Sequence, residues 1–236
     1  MPVHIHPTAP LARRALLPGD PGRALALAQL VLCEPKMFNH NRGLWGYTGT
    51  AADGEPMTIQ STGMGGPSAA IVLEELCDLG LELGLRVGTC GALDPGLQLG
   101  DLVIAEAALA SDGASRALGA DGRVAADVGL VAALREAAGA DARTGAVASS
   151  DLFYDRDPGG ARAWRAAGAL AVEMEAATLL RVGELRGIRV GCLLAVSDVL
   201  GADGARRRID AEALLKAAER LGRIGAGALG ARPRSA

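Results

Sequence analysis

Five short segments place residues that can hold an anion or move a proton beside glycine-rich turns. Gly19-Asp20-Pro21-Gly22-Arg23 stands where an apolar run gives way to a helical pattern. A helix start exposes unpaired amides, and an arginine beside it makes a place for phosphate. The same residues also make an ordinary tight turn, and alone they do not choose between the two. Arg86-Val87-Gly88-Thr89-Cys90-Gly91-Ala92 again follows a buried-type strand. Its glycines let backbone approach a ligand, and Arg86 with the Thr89 hydroxyl can donate to phosphate oxygens. Arginine ending a buried strand is uncommon without a partner, which tilts this segment toward function. It lacks a full dinucleotide fingerprint and a Walker lysine, so neither nucleotide-cofactor signature is indicated.

Thr62-Gly63-Met64-Gly65-Gly66-Pro67 is a third glycine-rich turn, which a plain connector would also explain. Val172-Glu173-Met174-Glu175 sets two carboxylates where a strand hands over to a helix. Acids in a first helical turn usually complement the dipole on a solvated face. Here apolar residues flank them, so at least one is expected to be buried and hydrogen-bonded. Such a carboxylate can accept from vicinal hydroxyls, as binding a ribose demands. Ser197-Asp198 closes the last apolar run, ahead of Gly201, Gly204 and Arg206-Arg207-Arg208. That order fits an acid under a mobile lid, or merely a loop cap.

The elements that must position these residues alternate. Strands are expected at Ala15–Leu17, Leu83–Val87, Leu102–Ala105, Thr144–Ala148, Ala169–Val172 and Ile188–Val196, with a hairpin over Leu44–Ala51 and Pro56–Thr62. Helical patterns cover Gly22–Leu32, Pro67 to Gly80, Val128–Ala138, Glu173–Arg186 and a terminal stretch capped by Asp210. Residues 106–127 read as a surface segment, and a polar tail follows Ala231. Strand–helix alternation over 236 residues predicts one α/β domain, with helices on both faces of a mainly parallel, mixed sheet. Sites in such sheets collect at the carboxyl ends of strands, where the unusual residues fall.

Composition narrows the classes. Half the residues are hydrophobic and 3% aromatic, enough for an Ala/Leu/Val core. A net charge of −3 argues against a general nucleic-acid or membrane-surface binder. Lys36 and Lys216 are the only lysines, so arginine must supply any anion site. Cys33, Cys77, Cys90 and Cys192 form no CxxC pair, which points away from metals and disulfides and toward a reducing compartment. The proline-rich start does not read as a signal peptide, and no run of 18 apolar residues exists. A soluble cytoplasmic enzyme is the expectation.

Taken together, in this order, the five segments resemble the nucleoside phosphorylase-I family. Asn41-Arg42-Gly43 before Trp45-Gly46-Tyr47-Thr48-Gly49, and Ser150-Asp151-Leu152-Phe153-Tyr154, add to the likeness, which runs from His4 to the terminal helix. The resemblance implies a phosphorylase/hydrolase-like three-layer sandwich that cleaves a purine (deoxy)ribonucleoside with phosphate as co-substrate and no cofactor or metal. It also implies a homohexamer built as a trimer of dimers. Phosphate would be held by Gly19, Arg23, Arg86 and Thr89, with Arg42 reaching in from a neighbouring subunit. The sugar would meet Met64, Glu173, Met174, Glu175 and a neighbour's His4, with His6 its rival. The base would pack on Phe153 and Val172 near Cys90, Gly91 and Ser197. Asp198 would serve the departing purine, assisted by Arg207 or its neighbours Arg206 and Arg208.

Two alternatives remain on sequence grounds. Uridine phosphorylases share the Thr62–Pro67 turn and Asp112-Gly113-Ala114-Ser115. The pyrimidine-reading glutamine of that group has no counterpart between Asp155 and Ala171, which favours purines. Hydrolytic relatives lack the phosphate arginines, so Arg23, Arg42 and Arg86 count against them. An inactive nucleoside-binding protein of the same fold is the other class, and a turnover assay separates it.

Overall fold

The computed structural model describes residues 2–155, 158–200 and 206–230. Along the chain come β1 (Arg14–Leu17), α1 (Pro21–Val31), β2 (Cys33–Asn39), β3 (Gly46–Thr50), β4 (Pro56–Gln60) and α2 (Gly66–Asp78). Next are β5 (Leu83–Ala92), β6 (Leu102–Ala110), α3 (Gly113–Ala117), β7 (Arg123–Ala125), α4 (Val128–Ala138) and β8 (Ala142–Ser149). The remainder is α5 (Pro158–Ala166), β9 (Ala169–Glu173), α6 (Ala176–Arg186), β10 (Arg189–Leu200), β11 (Arg206–Arg208) and α7 (Ala211–Gly230).

The eleven strands among the described residues join one mixed sheet, in the order β11-β10-β6-β8-β9-β5-β1-β4-β3-β2, with β7 on β6. An additional β10–β5 pairing closes β5, β10, β6, β8 and β9 into a ring. β5 is the hub. It runs parallel to β1 and β10 and, at its end, antiparallel to β9. Its first half is thus flanked by β1 and β10, and its end by β10 and β9.

Local chemistry explains many element ends. Asp20 and Asp127 cap α1 and α4 by accepting from Arg23 N and Leu130 N, and Gly187 ends α6 in the left-handed conformation, φ 66°. Small residues let α7 lie close to α1 and to the sheet. A Cβ on Gly222 would stand 2.5 Å from Leu27 Cδ2, and one on Gly225 3.0 Å from Leu16 Cδ2. Overpacking of that kind costs about 1–3 kcal/mol.

Besides α5 and β11, which were not expected, three features depart from the sequence expectations. β5 and β6 run on to Ala92 and Ala110, and the supposed surface segment holds α3 and β7, because pairing with β9, β8 and β7 stabilises stretches with weak apolar patterning. β2 carries no strand signal, since it is an edge strand paired only with β3 and exposed from Cys33 to Met37. α6 begins at Ala176 instead of Glu173, for reasons that belong to the site. The expected tail after Ala231 lies outside the described residues. Among the described residues no helix is long and apolar enough to cross a membrane.

Candidate active site

β5 carries Arg86 into the interior, where 3% of the residue is exposed. A buried guanidinium is costly unless paired. Its Nε donates to Glu173 Oε2 at 2.8 Å, and Nη2 meets Glu175 Oε2 at 2.5 Å. Burial pulls the guanidinium's pKa down, but Glu175 and Glu173 outweigh it and hold it above the ordinary arginine value. Nη1 is left buried without a hydrogen-bond partner.

Glycines surround this group. A Cβ on Gly88 would lie 2.9 Å from Arg86 Cζ and Nη2, so no side chain fits beneath the guanidinium. A Cβ on Gly19 would lie 3.1 Å from Gly63 O and 4.0 Å from Nη1. An unpaired charge-assisted donor thus stands over a floor of bare backbone, an arrangement suited to a tetrahedral oxyanion.

Arg23 supplies a second cation nearby. Burial lowers its pKa, Asp20 offsets part of that, and the like charge of Arg86 lowers it further. The α1 amides contribute less than the motif suggested. Asp20 Oδ1 accepts from Arg23 N at 2.6 Å and Asp20 O from Ala24 N at 3.0 Å. Among the first helical residues this leaves Gly22, because Pro21 has no N–H. Thr89 sits half-buried on the same strand as Arg86.

The two carboxylates divide their work. Glu173 Oε2 accepts from the amides of Glu175 at 2.8 Å and Ala176 at 2.9 Å, besides Arg86. The Ser149 hydroxyl donates to Glu173 Oε1 and accepts from Ala177 N at 2.8 Å. Glu173 and Ser149 therefore satisfy the opening amides of α6, which is why the helix starts only at Ala176. Glu175 is the N-cap residue, but its side chain makes no cap bond. Instead it accepts from Gly65 N at 2.5 Å and holds Arg86. Burial pushes its pKa above the ordinary value; Arg86 opposes this and Glu173 adds to it. The Thr62–Pro67 turn is thereby tied to the site, and Met64 at its tip is 86% exposed. Met174 is half-buried between the carboxylates.

The end of β5 builds a second compartment. Gly91 pairs with Val172 on β9 and with Asp198 on β10. The β10–β5 register slips between Val196 and Asp198, so the chain bulges at Ser197 and re-aims both side chains. The Ser197 hydroxyl lies 3.2 Å from Cys90 O and 2.8 Å from Asp198 Oδ2. Asp198 is 5% exposed, with Oδ1 3.3 Å from Arg208 Nε but lacking a hydrogen-bond partner. β11 pairs Arg208 with Asp198, Arg207 with Val199 and Arg206 with Leu200. Strand alternation sends Arg207 to the opposite face. Arg208, in place of Arg207, is the arginine that meets Asp198.

Arg206 and Arg208 also lie over Phe153, 5.4 and 5.7 Å from its ring centre. Phe153 in turn packs edge-on against Tyr154 at 4.9 Å. The buried Cys90 thiol lies 3.6 Å from Ala195 O, and burial pushes its pKa up, so it is a wall and no nucleophile. Gly201 and Gly204 lie outside the described residues.

Two expected residues stand apart from this cluster. His4 Nδ1 lies 2.7 Å from Glu75 Oε1, and the amides of Val3, His4 and Ile5 also donate to Glu75. Arg42 is exposed at φ 56° and has no acidic partner among the described residues. Asn41 Nδ2 donates to His4 O at 2.9 Å, so His4 and Arg42 belong to one surface. The rival His6 turns its Nε2 to Val3 O at 3.1 Å. Sequence reasoning missed Ser149 and Glu75 as partners of these residues, and it named the turn that holds Gly65 without its bond to Glu175. Each acts across 24 to 110 positions, and no spacing rule marks such a contact. Among the described residues no group of three or more His, Cys, Asp or Glu is placed to hold a metal ion.

Residues 13–229 match the model of the phosphorylase superfamily. A DeoD-type purine nucleoside phosphorylase of Geobacillus kaustophilus is 38% identical over 205 residues, covering 84% of this chain and 86% of its own. One of Clostridium novyi is 36% identical, covering 80% and 83%. The uridine phosphorylase of Salmonella typhimurium is also 36% identical, covering 78% and 79%. The chain belongs to the phosphorylase superfamily.

Proposed function

We propose that this protein is a nucleoside phosphorylase that cleaves purine (deoxy)ribonucleosides to the free base and (deoxy)ribose 1-phosphate. The observation that carries the reading is Arg86, whose buried, unpartnered Nη1 stands over Gly19 and Gly88. Inorganic phosphate held there, with Arg23, Thr89 and a neighbour's Arg42, presents an oxygen to the anomeric carbon. Fixing two reactants in attack geometry removes much of the entropic barrier. Glu175 and Met174 hold the sugar, and a neighbour's His4 meets its 5′ end. As the carbon–nitrogen bond breaks, its electron pair passes to the base, and Asp198 donates a proton at ring nitrogen 7. General acid assistance of this kind contributes about 10²–10⁴-fold. Phosphate is a co-substrate and no cofactor takes part.

The purine choice rests on Asp198. Its Oδ1 is buried with no hydrogen-bond partner, its strand pairs with Gly91, which pairs in turn with Val172, and Arg208 links it to Phe153. A departing uracil spreads its charge over two carbonyl oxygens and has no nitrogen 7 to protonate. The uridine reading stays in view because a uridine phosphorylase is as similar as the purine enzymes. We further infer a homohexamer of three dimers and a cytoplasmic setting, in keeping with four unpaired cysteines. Incubation of adenosine, inosine, guanosine and uridine with and without phosphate tests the reading. Cleavage should require phosphate and yield the sugar 1-phosphate from a purine nucleoside. Free ribose at equal rates without phosphate would refute phosphorolysis, and uridine as the best substrate would transfer the assignment to pyrimidines.

A further inference from the structure

Arg86 must serve two masters. A guanidinium grips phosphate best with two N–H groups at once, and the edge beside the unpartnered Nη1 is shared with Nη2. Nη2 is already engaged by Glu175 Oε2 at 2.5 Å. Glu175 is also the carboxylate assigned to the sugar's vicinal hydroxyls, and an oxygen bound to arginine is a poorer acceptor for them. Phosphate and Glu175 are like charges competing for one cation.

The two acids differ in how firmly they are held. Glu173 accepts from Arg86 Nε, the Ser149 hydroxyl and the amides of Glu175 and Ala176, so releasing it would strip the start of α6. Among the described residues Glu175 has only Arg86 and Gly65 N as partners. Gly65, at φ 85°, ends a turn that Gly63 opens at φ 74°, and its contact with Glu175 Oε1 does not involve the oxygen on arginine. Glu173 is an anchor, and Glu175 is the carboxylate that can let go.

We propose that Glu175 acts as a latch on Arg86: phosphate displaces it from Nη2, and the freed carboxylate then receives the ribose hydroxyls. This rests on the phosphorylase reading and adds an order to it. Phosphate prepares the sugar site, and the nucleoside binds weakly until it does. By linkage, nucleoside must strengthen phosphate by the same factor.

The test is calorimetric, with inorganic phosphate and a C-nucleoside whose carbon–carbon glycosidic bond resists cleavage. Saturating phosphate should tighten the C-nucleoside about tenfold or more in the wild type, within the usual range of coupling. Glu175→Gln removes the competing charge, and Glu175→Asp keeps the charge but withdraws it from Arg86. Both should bind phosphate alone more tightly than wild type and should lose most of the coupling. Wild-type coupling of less than about twofold overturns the latch whether or not either variant folds. So does weaker phosphate binding in the variants, which would mean that Glu175 merely orients Arg86. Tightening by Gln but not by Asp would reduce the effect to charge alone, and unchanged coupling in the variants would assign it to direct phosphate–sugar contact. A wild type that cleaves nucleosides without binding phosphate removes the phosphorylase reading itself.

Discussion

Asp198 is a buried acid with one oxygen on Ser197 and the other 3.3 Å from Arg208. At that position charge and proton donation can be separated by substitution. A 6-amino purine has no acceptor at its exocyclic group, so its departure depends on donation at nitrogen 7. A 6-oxo purine can also be held through its carbonyl, which an asparagine amide can serve. Asp198→Asn should therefore cut adenosine phosphorolysis by about 10²-fold or more while sparing part of the inosine or guanosine rate. Steady-state kinetics on the two substrate types checks this. Unchanged adenosine turnover would reduce Asp198 to a loop cap. Arg207→Ala should matter less than Arg208→Ala in the same assay, because of these two Arg208 alone shares the face of Asp198.

Among the elements, the segment before β1 is held by α2 through a single carboxylate. Glu75 takes three consecutive amides and the His4 imidazole. Burial raises its pKa, but the His4 and backbone hydrogen bonds outweigh that and bring it from 4.5 to about 2. A depressed folded-state pKa adds stability above the unfolded value, and that stability is lost as pH falls through the folded one. The stability difference between wild type and Glu75→Gln should thus be full at neutral pH, narrow below pH 4.5 and close near pH 2. Denaturant unfolding at a series of pH values measures it. Amide exchange at Val3, His4 and Ile5 should be faster in the variant at neutral pH, since a glutamine oxygen is a weaker acceptor than a carboxylate. A pH-independent difference would place the stabilisation elsewhere.

For the molecule as a whole, the site in one chain has Arg86 and Arg23 but not Arg42, which is exposed at a strained backbone angle on the same surface as His4. If that surface completes a neighbour's site, two dead variants should rescue each other. Arg42→Ala and Arg86→Ala, mixed with subunit exchange, form hybrids in which one site of two is whole. Random pairing about a two-fold axis predicts recovery of about a quarter of wild-type activity. No recovery after exchange is demonstrated by mass would count against shared sites. Sedimentation of the wild type then distinguishes a dimer from the proposed hexamer.

The sequence by itself determined what is settled within a few residues. Asp20, Asp127 and Gly187 end their helices as local capping chemistry requires, and Gly19 and Gly88 stand where backbone must come close to a charge. Alternating strands and helices were enough for the fold class, because periodicity records which face is buried. Tertiary structure decided who partners whom. Glu173 and Glu175 look alike in sequence, yet one is bound to the α6 amides and Ser149 while the other holds Arg86 and Gly65. Three successive arginines could not be told apart until strand register set Arg208 against Asp198 and turned Arg207 away. β2 was invisible because an edge strand needs no apolar alternation. A buried charge must be paired, and composition can announce that need, but only the closed ring around β5 brings the partners within reach.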